Sequence, residues 1–336
     1  MKKIGNTHVL AALLTSLVAV AGGSGAQAES LEALRDCRVI QDEAGRLLCY
    51  DSVPDRIDTE TPSVPAEPAG AQEKPALERR LEKERDLARR AFIIIPHRPN
   101  YILHSYNSEP NAAPLQAVDP NADLQHQEIK FQLSLRVPLY NRMFGENGDL
   151  WFGYTQQSFW QAYNWDRSAP VRETDYEPEL GLTFHTDFSL FGIKHRLFSL
   201  GVAHQSNGRS EPLSRSWNRV WASFILERGN LAVSLKPWYR IPESTAHDNN
   251  PDMQDYAGRG ELHIAYKYHD QVLSFILRNN LRASENRSGY ELDWSFPFSK
   301  QIKGLVQYYN GYGESLTDYN VRTRRVGLGV LITDWL

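Results

Sequence analysis

From residue 92 to the C-terminus the chain alternates between apolar and polar residues with a period of two. In Ile129-Lys130-Phe131-Gln132-Leu133-Ser134-Leu135-Arg136-Val137 every odd position is apolar and every even one polar. Leu231, Val233 and Leu235 repeat the pattern, as do Leu262, Ile264, Tyr266 and Tyr268 against Glu261, His263, Lys267 and His269. Val326, Leu328, Val330 and Ile332 close the series. Such alternation gives a strand one apolar and one polar face. In a sandwich the apolar faces meet in a core; in a membrane barrel they meet lipid. The polar set here carries Lys130, Arg136, Lys236, Glu261 and Lys267, which suits a barrel interior. Trp151, Trp160, Trp165, Trp238, Tyr239, Tyr308, Tyr309 and Trp335 fall near strand ends and read as interfacial girdles. About twelve strands are expected, centred near residues 103, 132, 155, 182, 201, 222, 234, 264, 275, 293, 307 and 329. An even number lets an antiparallel sheet close with no edge in lipid. The expected fold is therefore all-β, a twelve-stranded antiparallel transmembrane barrel.

The segment before the barrel has a different texture. Lys2 and Lys3, an apolar run from Val9 to Ala21, and Ala26-Gln27-Ala28 form a secretory signal over residues 1–28. Beyond it no segment approaches the roughly 20 apolar residues that a spanning helix needs, and the mean hydropathy is −0.51. Residues 29–91 read as a periplasmic extension with three parts. Cys37 and Cys49 are the only cysteines, and export favours a disulfide between them. A Pro-rich stretch over 53–77 cannot bury a core and reads as a linker. Ala76 to Phe92 is charged, with Glu and Arg at i,i+4 spacing, and reads as a solvated helical spacer. The barrel domain is expected over 92–336. A net charge of −4, from 37 basic and 41 acidic residues, makes no case for nucleic acid as a partner.

One strand breaks the barrel rule. Phe198, Leu200 and Val202 share a parity that His204 and Ser206 continue. In the next strand Asn218 shares its parity with Val220, Ala222, Phe224 and Leu226. A His, a Ser and an Asn thus project from the greasy face near one end of neighbouring strands. Residues two apart on a strand share a face, their Cβ atoms about 6.5–7 Å apart. A single His or Ser near a strand end is ordinarily an interfacial polar residue. Three at this spacing also suit nucleophilic catalysis: Ser206 attacks, His204 carries the proton, and Asn218 orients His204. An Asn rather than an Asp avoids placing a carboxylate in lipid.

The stretches His204-Gln205-Ser206-Asn207-Gly208-Arg209-Ser210 and Ser214-Arg215-Ser216-Trp217-Asn218-Arg219 closely resemble the signature of outer-membrane phospholipase A. Arg172-Glu173-Thr174, Tyr176-Glu177-Pro178, Lys236-Pro237-Trp238-Tyr239 and Tyr312-Gly313-Glu314-Ser315-Leu316 match as well. The resemblance runs from about residue 93 to the C-terminus. It implies a calcium-dependent, homodimeric barrel of the bacterial outer membrane that hydrolyses acyl esters of phospholipids and lysophospholipids (A1 and A2 activity). It implies Ser206, His204 and Asn218 as the triad and the Gly208 N–H as an oxyanion donor. It implies Ca2+ on the Arg209 carbonyl, the Ser214 hydroxyl and an oxygen of Ser168 from the facing subunit. It places Gln156 on the dimer face, although the mixed residues around Gln156 also allow a lumen-facing position. Glu211 and Asp248 are candidates for a second calcium site; Glu211 is longer than the family's acid, and the loop holding Asp248 departs from the pattern. The rival expectation is a non-catalytic barrel, structural or pore-forming.

Overall fold

The computed structural model describes residues 37, 39–51, 74–88, 93–164, 171–244, 248–299 and 301–336. The signal over 1–28 and most of the Pro-rich linker lie outside the described residues. Two compact units emerge, Met1–Glu73 and Lys74–Leu336. In the first, helix α1 (Glu43–Asp51) starts where the Asp42 carboxylate accepts the Gly45 N–H at 2.7 Å, the usual role of an acidic residue at a helix N-terminus. Cys49 on this helix is bonded to Cys37, their Cα atoms 5.5 Å apart.

The second unit is the barrel. Helix α2 (Ala76–Ala88) leads into β1 (Ile95–Pro96), β2 (Asn100–Asn107), a short α3 (Ala113–Gln116), β3 (Gln127–Tyr140), β4 (Asp149–Trp160), β5 (Val171–Leu190) and β6 (Ile193–Ser206). Then come β7 (Ser216–Arg228), β8 (Leu231–Ile241), α4 (Met253–Ala257), β9 (Gly260–Tyr268), β10 (Gln271–Asn279), β11 (Ser288–Pro297), β12 (Lys303–Gly311) and β13 (Thr323–Thr333). Each strand from β2 onward pairs antiparallel with its successor, and β13 pairs with β2, so twelve strands close a ring. Every centre expected from the alternation falls inside its strand. The two-residue β1 pairs Ile95 with Arg136 and extends the first staves of the barrel beyond a break at 97–99. Pro96 precedes that break and Pro99 lies within it, and proline has no N–H to give a ladder.

The faces sort as the alternation requires. Leu133, Leu180, Leu200, Val220, Leu273 and Leu328 are exposed on the outer wall. The lumen is filled with paired charge. Lys130, fully buried, reaches Gln307 at 2.6 Å and Glu314 at 3.2 Å. Arg172 binds Glu128 at 2.6 Å and Asp318 at 2.7 Å, and Arg325 binds Glu128 at 2.8 Å and Glu314 at 3.0 Å. Buried charges persist only when paired in this way. Turns at one end are tight, two residues at 191–192, 229–230 and 269–270, while the other end carries long loops. Bacterial barrels keep short turns on the periplasmic side and long loops outside.

Two expectations are corrected here. Trp151 and Tyr309, 5% and 4% exposed, face the lumen, as do Trp238 and Trp335, so these four are not girdle residues. They stack on lumenal cations instead: Arg136 over Trp151 at 5.6 Å, Arg219 over Trp238 at 5.4 Å, Lys130 over Tyr309 at 5.9 Å and Arg80 over Trp335 at 5.7 Å. Trp160 and Tyr239 do face outward, and Trp165 lies outside the described residues.

Nor is α2 a solvated spacer. The compact unit that holds the barrel includes α2 and starts at Lys74. The Leu77 and Glu78 N–H groups donate to Glu227 on β7 at 3.1 and 3.2 Å. A carboxylate there satisfies N–H groups that a helix start leaves unpaired. Arg196 on β6 joins Glu227 at 2.6 Å and also binds Glu78. Arg136 on β3 donates to Glu84 at 2.6 Å, and Arg80 ties the helix to the Trp335 carbonyl. These partners sit at the short-turn end, so α2 lies across that mouth of the lumen. Burial would raise the Glu84 pKa, but Arg80 and Arg136 outweigh it and bring it down to about 2. A depressed carboxylate contributes stability above its ordinary value near 4.5, and that contribution fades as pH falls toward 2. Arg136→Ala is therefore expected to speed hydrogen exchange in α2 about tenfold at neutral pH, the scale of one charged hydrogen bond. In the unsubstituted protein, exchange from α2, corrected for its intrinsic pH dependence, should rise between pH 4.5 and 2 ahead of the strands; equal protection of helix and strands down to pH 2 contradicts this anchoring.

Candidate active site on the outer wall

Strands β6 and β7 lie side by side in a register that pairs His204 with Asn218 and Ser206 with Ser216. His204 is exposed on the outer wall, Ser206 and Asn218 are half-buried there, and the adjacent Ala203 and Trp217 point inward and are buried. His204 Nδ1 lies 2.9 Å from Asn218 Oδ1. An amide oxygen only accepts, so the ring nitrogen facing it donates. In the neutral ring this tautomer makes Nε2 the acceptor. Among the described residues no hydrogen bond joins His204 to Ser206. The two share one face, about 7 Å apart at Cβ from the strand rise, and such contacts often tighten only around substrate.

The hairpin from Asn207 to Arg215 is held from inside. Asn207, 5% exposed, donates to the Leu213 carbonyl at 2.8 Å and to Glu173 and Thr317 at 3.3 Å. Its Oδ1 accepts the Arg215 N–H at 3.0 Å and the Arg209 N–H at 3.3 Å. Glu173 also holds Thr317, so the hairpin is tied to the loop between β12 and β13. Gly208 adopts φ +64°, and a Cβ there would meet the Tyr176 ring at 3.3 Å. Left-handed backbone against an aromatic ring is a place for glycine. Arg209 binds the Arg172 carbonyl and lies 3.5 Å from Glu173. On the far side the fully buried Asn250 accepts the Ser216 N–H at 3.1 Å, and Trp217 packs with Met253, Ala257, Leu316 and Tyr319.

The remaining candidates separate. Gln156 faces outward; its neighbour Gln157 turns inward to the Tyr101 hydroxyl at 3.2 Å. Gln156 pairs with Tyr176, which pairs with Ser206, so Gln156 stands at the level of the serine two strands away. Its amide donates to Ser158 Oγ at 3.3 Å and accepts from the Tyr154 hydroxyl at 3.2 Å. The Arg209 carbonyl and Ser214 Oγ belong to the same hairpin, and Asn249 donates to Ser214 Oγ at 3.0 Å. They are neutral hard oxygens, a donor type that calcium accepts with water completing the shell. Ser168 lies outside the described residues. Among the described residues no three acidic, His or Cys side chains gather as a metal site. Glu211 is exposed at the hairpin tip, while Asp248 is taken by Arg240 at 2.7 Å.

Asn207, Glu173, Thr317 and Asn250 support this site and were not among the sequence candidates. Parity places Asn207 inward, but its partners come from distant segments and leave no local signal. Asn207→Ala deletes five hydrogen bonds in one buried cluster. Leaving even one such group unsatisfied costs about 1–3 kcal/mol. Hydrogen exchange by mass spectrometry should show loosening confined to 207–215 and the 312–322 loop, with the strands protected; an unchanged hairpin contradicts the role given to Asn207.

The sequence matches the phospholipase A1 family over residues 77–332. It is 40% identical to phospholipase A1 of Klebsiella pneumoniae and 41% identical to that of Escherichia coli, each over 243 residues, covering 72% of this chain and 83% and 82% of those proteins. The fold superposes on outer membrane phospholipase A from Escherichia coli with a TM-score of 0.69 at 41% identity, over 73% of this chain and all of that one. It superposes on the Salmonella typhi outer membrane phospholipase dimer with bound calcium with a TM-score of 0.70 at 39% identity, over 74% and 96%.

Proposed function

The chain belongs to the phospholipase A1 family, and on that premise we propose that it cleaves acyl esters of phospholipids and lysophospholipids (A1 and A2 activity) with Ser206, His204 and Asn218. It is an outer-membrane β-barrel hydrolase acting on phospholipid. The observation that carries the catalytic reading is the 2.9 Å contact of His204 Nδ1 with Asn218 Oδ1 on the lipid-facing wall, with Ser206 on the same face. A lipid ester lying along the wall meets this face without leaving the membrane.

Ser206 Oγ attacks the ester carbonyl and passes its proton to His204 Nε2. Asn218 holds the opposite ring nitrogen and so keeps Nε2 aimed at the serine. The Gly208 N–H donates to the oxyanion. Collapse expels the glycerol oxygen, which takes the proton from His204, and leaves the acyl group on Ser206. Water, deprotonated by His204, then attacks the acyl-serine and releases the fatty acid. Calcium, which the Salmonella typhi relative binds, would be held by the Arg209 carbonyl, Ser214 Oγ and Ser168 of a second copy. When bound it supplies electrophilic stabilisation of negative charge. The same relative is a dimer. The outward Gln156, level with Ser206, supports a homodimer here, since an amide in lipid gains from a facing amide. A pore reading finds no support in a lumen crossed by ion pairs.

Purified protein in detergent micelles with phosphatidylcholine should release fatty acid in calcium and lose about a hundredfold or more in EDTA, the scale of one oxyanion-stabilising group. Ser206→Ala should lose about 10⁴-fold or more. Full activity of Ser206→Ala would sink the catalytic reading, and indifference to EDTA would sink the calcium reading.

A further inference from the structure

An asparagine in the place of a triad carboxylate raises a problem of orientation. Its amide can seat either way round, with oxygen or nitrogen toward the histidine. Only one way leaves His204 with the proton on Nδ1 and a basic Nε2. Nothing in the pair itself enforces that choice.

A third residue does. Asn218 Nδ2 donates to Glu243 Oε1 at 3.2 Å while Asn218 Oδ1 faces His204 at 2.9 Å. The placement follows from the ladder: Asn218 pairs with Ile241 on β8, and Glu243 lies two residues beyond on the same parity. Glu243 is half-buried, and no cation pairs with it among the described residues. A carboxylate only accepts, so the turned amide would set oxygen against oxygen here. The hydrogen bond that does form is charge-assisted, the stronger kind.

We propose that Glu243 is a positioning residue for the hydrolysis: it locks the Asn218 amide and, through it, the His204 tautomer. The inference rests on the triad reading above. Glu243 touches neither substrate nor the reacting atoms. It also restores, one amide away, the negative charge that a triad with Asn lacks, and this favours the imidazolium formed in each half-reaction. The carboxylate sits at the rim, two residues beyond the end of β8.

The test is steady-state kinetics of Glu243→Ala, Glu243→Gln, Glu243→Lys and Asn218→Ala, with the Glu243→Ala/Asn218→Ala pair, in calcium-containing micelles. Glu243→Ala is expected to lower kcat about tenfold or more with KM unchanged, the scale of one charged hydrogen bond. Glu243→Gln keeps an acceptor and is expected to recover most of that loss. Glu243→Lys puts a donor against the amide and should fall below Ala; it reads the same inference if the Ala variant fails to refold. In the Asn218→Ala background the Glu243→Ala change should cost nothing more. The rate of Ser206 labelling by an alkylsulfonyl fluoride should follow kcat across the series. Wild-type kcat in both Glu243→Ala and Glu243→Lys, or a full further loss on top of Asn218→Ala, overturns the proposal. Ser206→Ala runs alongside: if it stays active the triad reading fails, whereas if it is dead and the Glu243 variants are unaffected, only the role of Glu243 fails.

Discussion

Closure of the sheet is the constraint on which everything else depends. Hydrocarbon offers no hydrogen bonds to a free strand edge, so β13 must find β2 and the ladder must run unbroken through β3 and β4. Once the ring is closed, each residue's face is decided by parity alone. Apolar positions meet lipid, and every charge on the other parity enters a lumen where it must be paired. The Arg172–Glu128–Arg325–Glu314–Lys130 chain of contacts is the result.

The same rule gives the proposed chemistry its setting. His204 and Ser206 stand on the parity of Leu200 and Val202, so they reach the membrane side of the wall. A site placed there needs rigid backing, and the lumen provides it. Asn207 turns the hairpin inward onto Glu173 and Thr317, and Asn250 clasps the first residue of β7. The lumenal network is thus part of the site's framework as well as of the barrel's stability. Neutral Asn218 stands between the imidazole and Glu243, so the acidic side chain lies at the rim rather than beside His204.

Much of this was legible in the sequence because a barrel strand writes its register as period-two alternation. Strand number, position and facing all followed from it, and so did the common face of His204, Ser206 and Asn218. What could not be read was set by contacts between distant segments. Trp151 and Tyr309 have girdle-like composition, yet their parity turns them inward, where Arg136 and Lys130 sit against the rings. Helix α2 looks solvated when its charges are counted alone; Glu227, Arg196 and Arg136 on three strands make it a cover for the lumen. Asp248 is held by Arg240 at 2.7 Å, a partner eight residues away that composition does not single out. Glu243 has no signal of its own, since its meaning depends on where β8 ends.

The central claim is that a lipid-facing serine carries the acyl group. It is tested most directly by mass spectrometry of the protein quenched in acid during turnover of a phospholipid of defined acyl chain. One acyl mass should appear, located by peptide sequencing on Ser206 and absent from the Ser206→Ala protein. An acyl mass on another residue, or none under conditions where fatty acid is being released and deacylation has been slowed by low temperature, would contradict it.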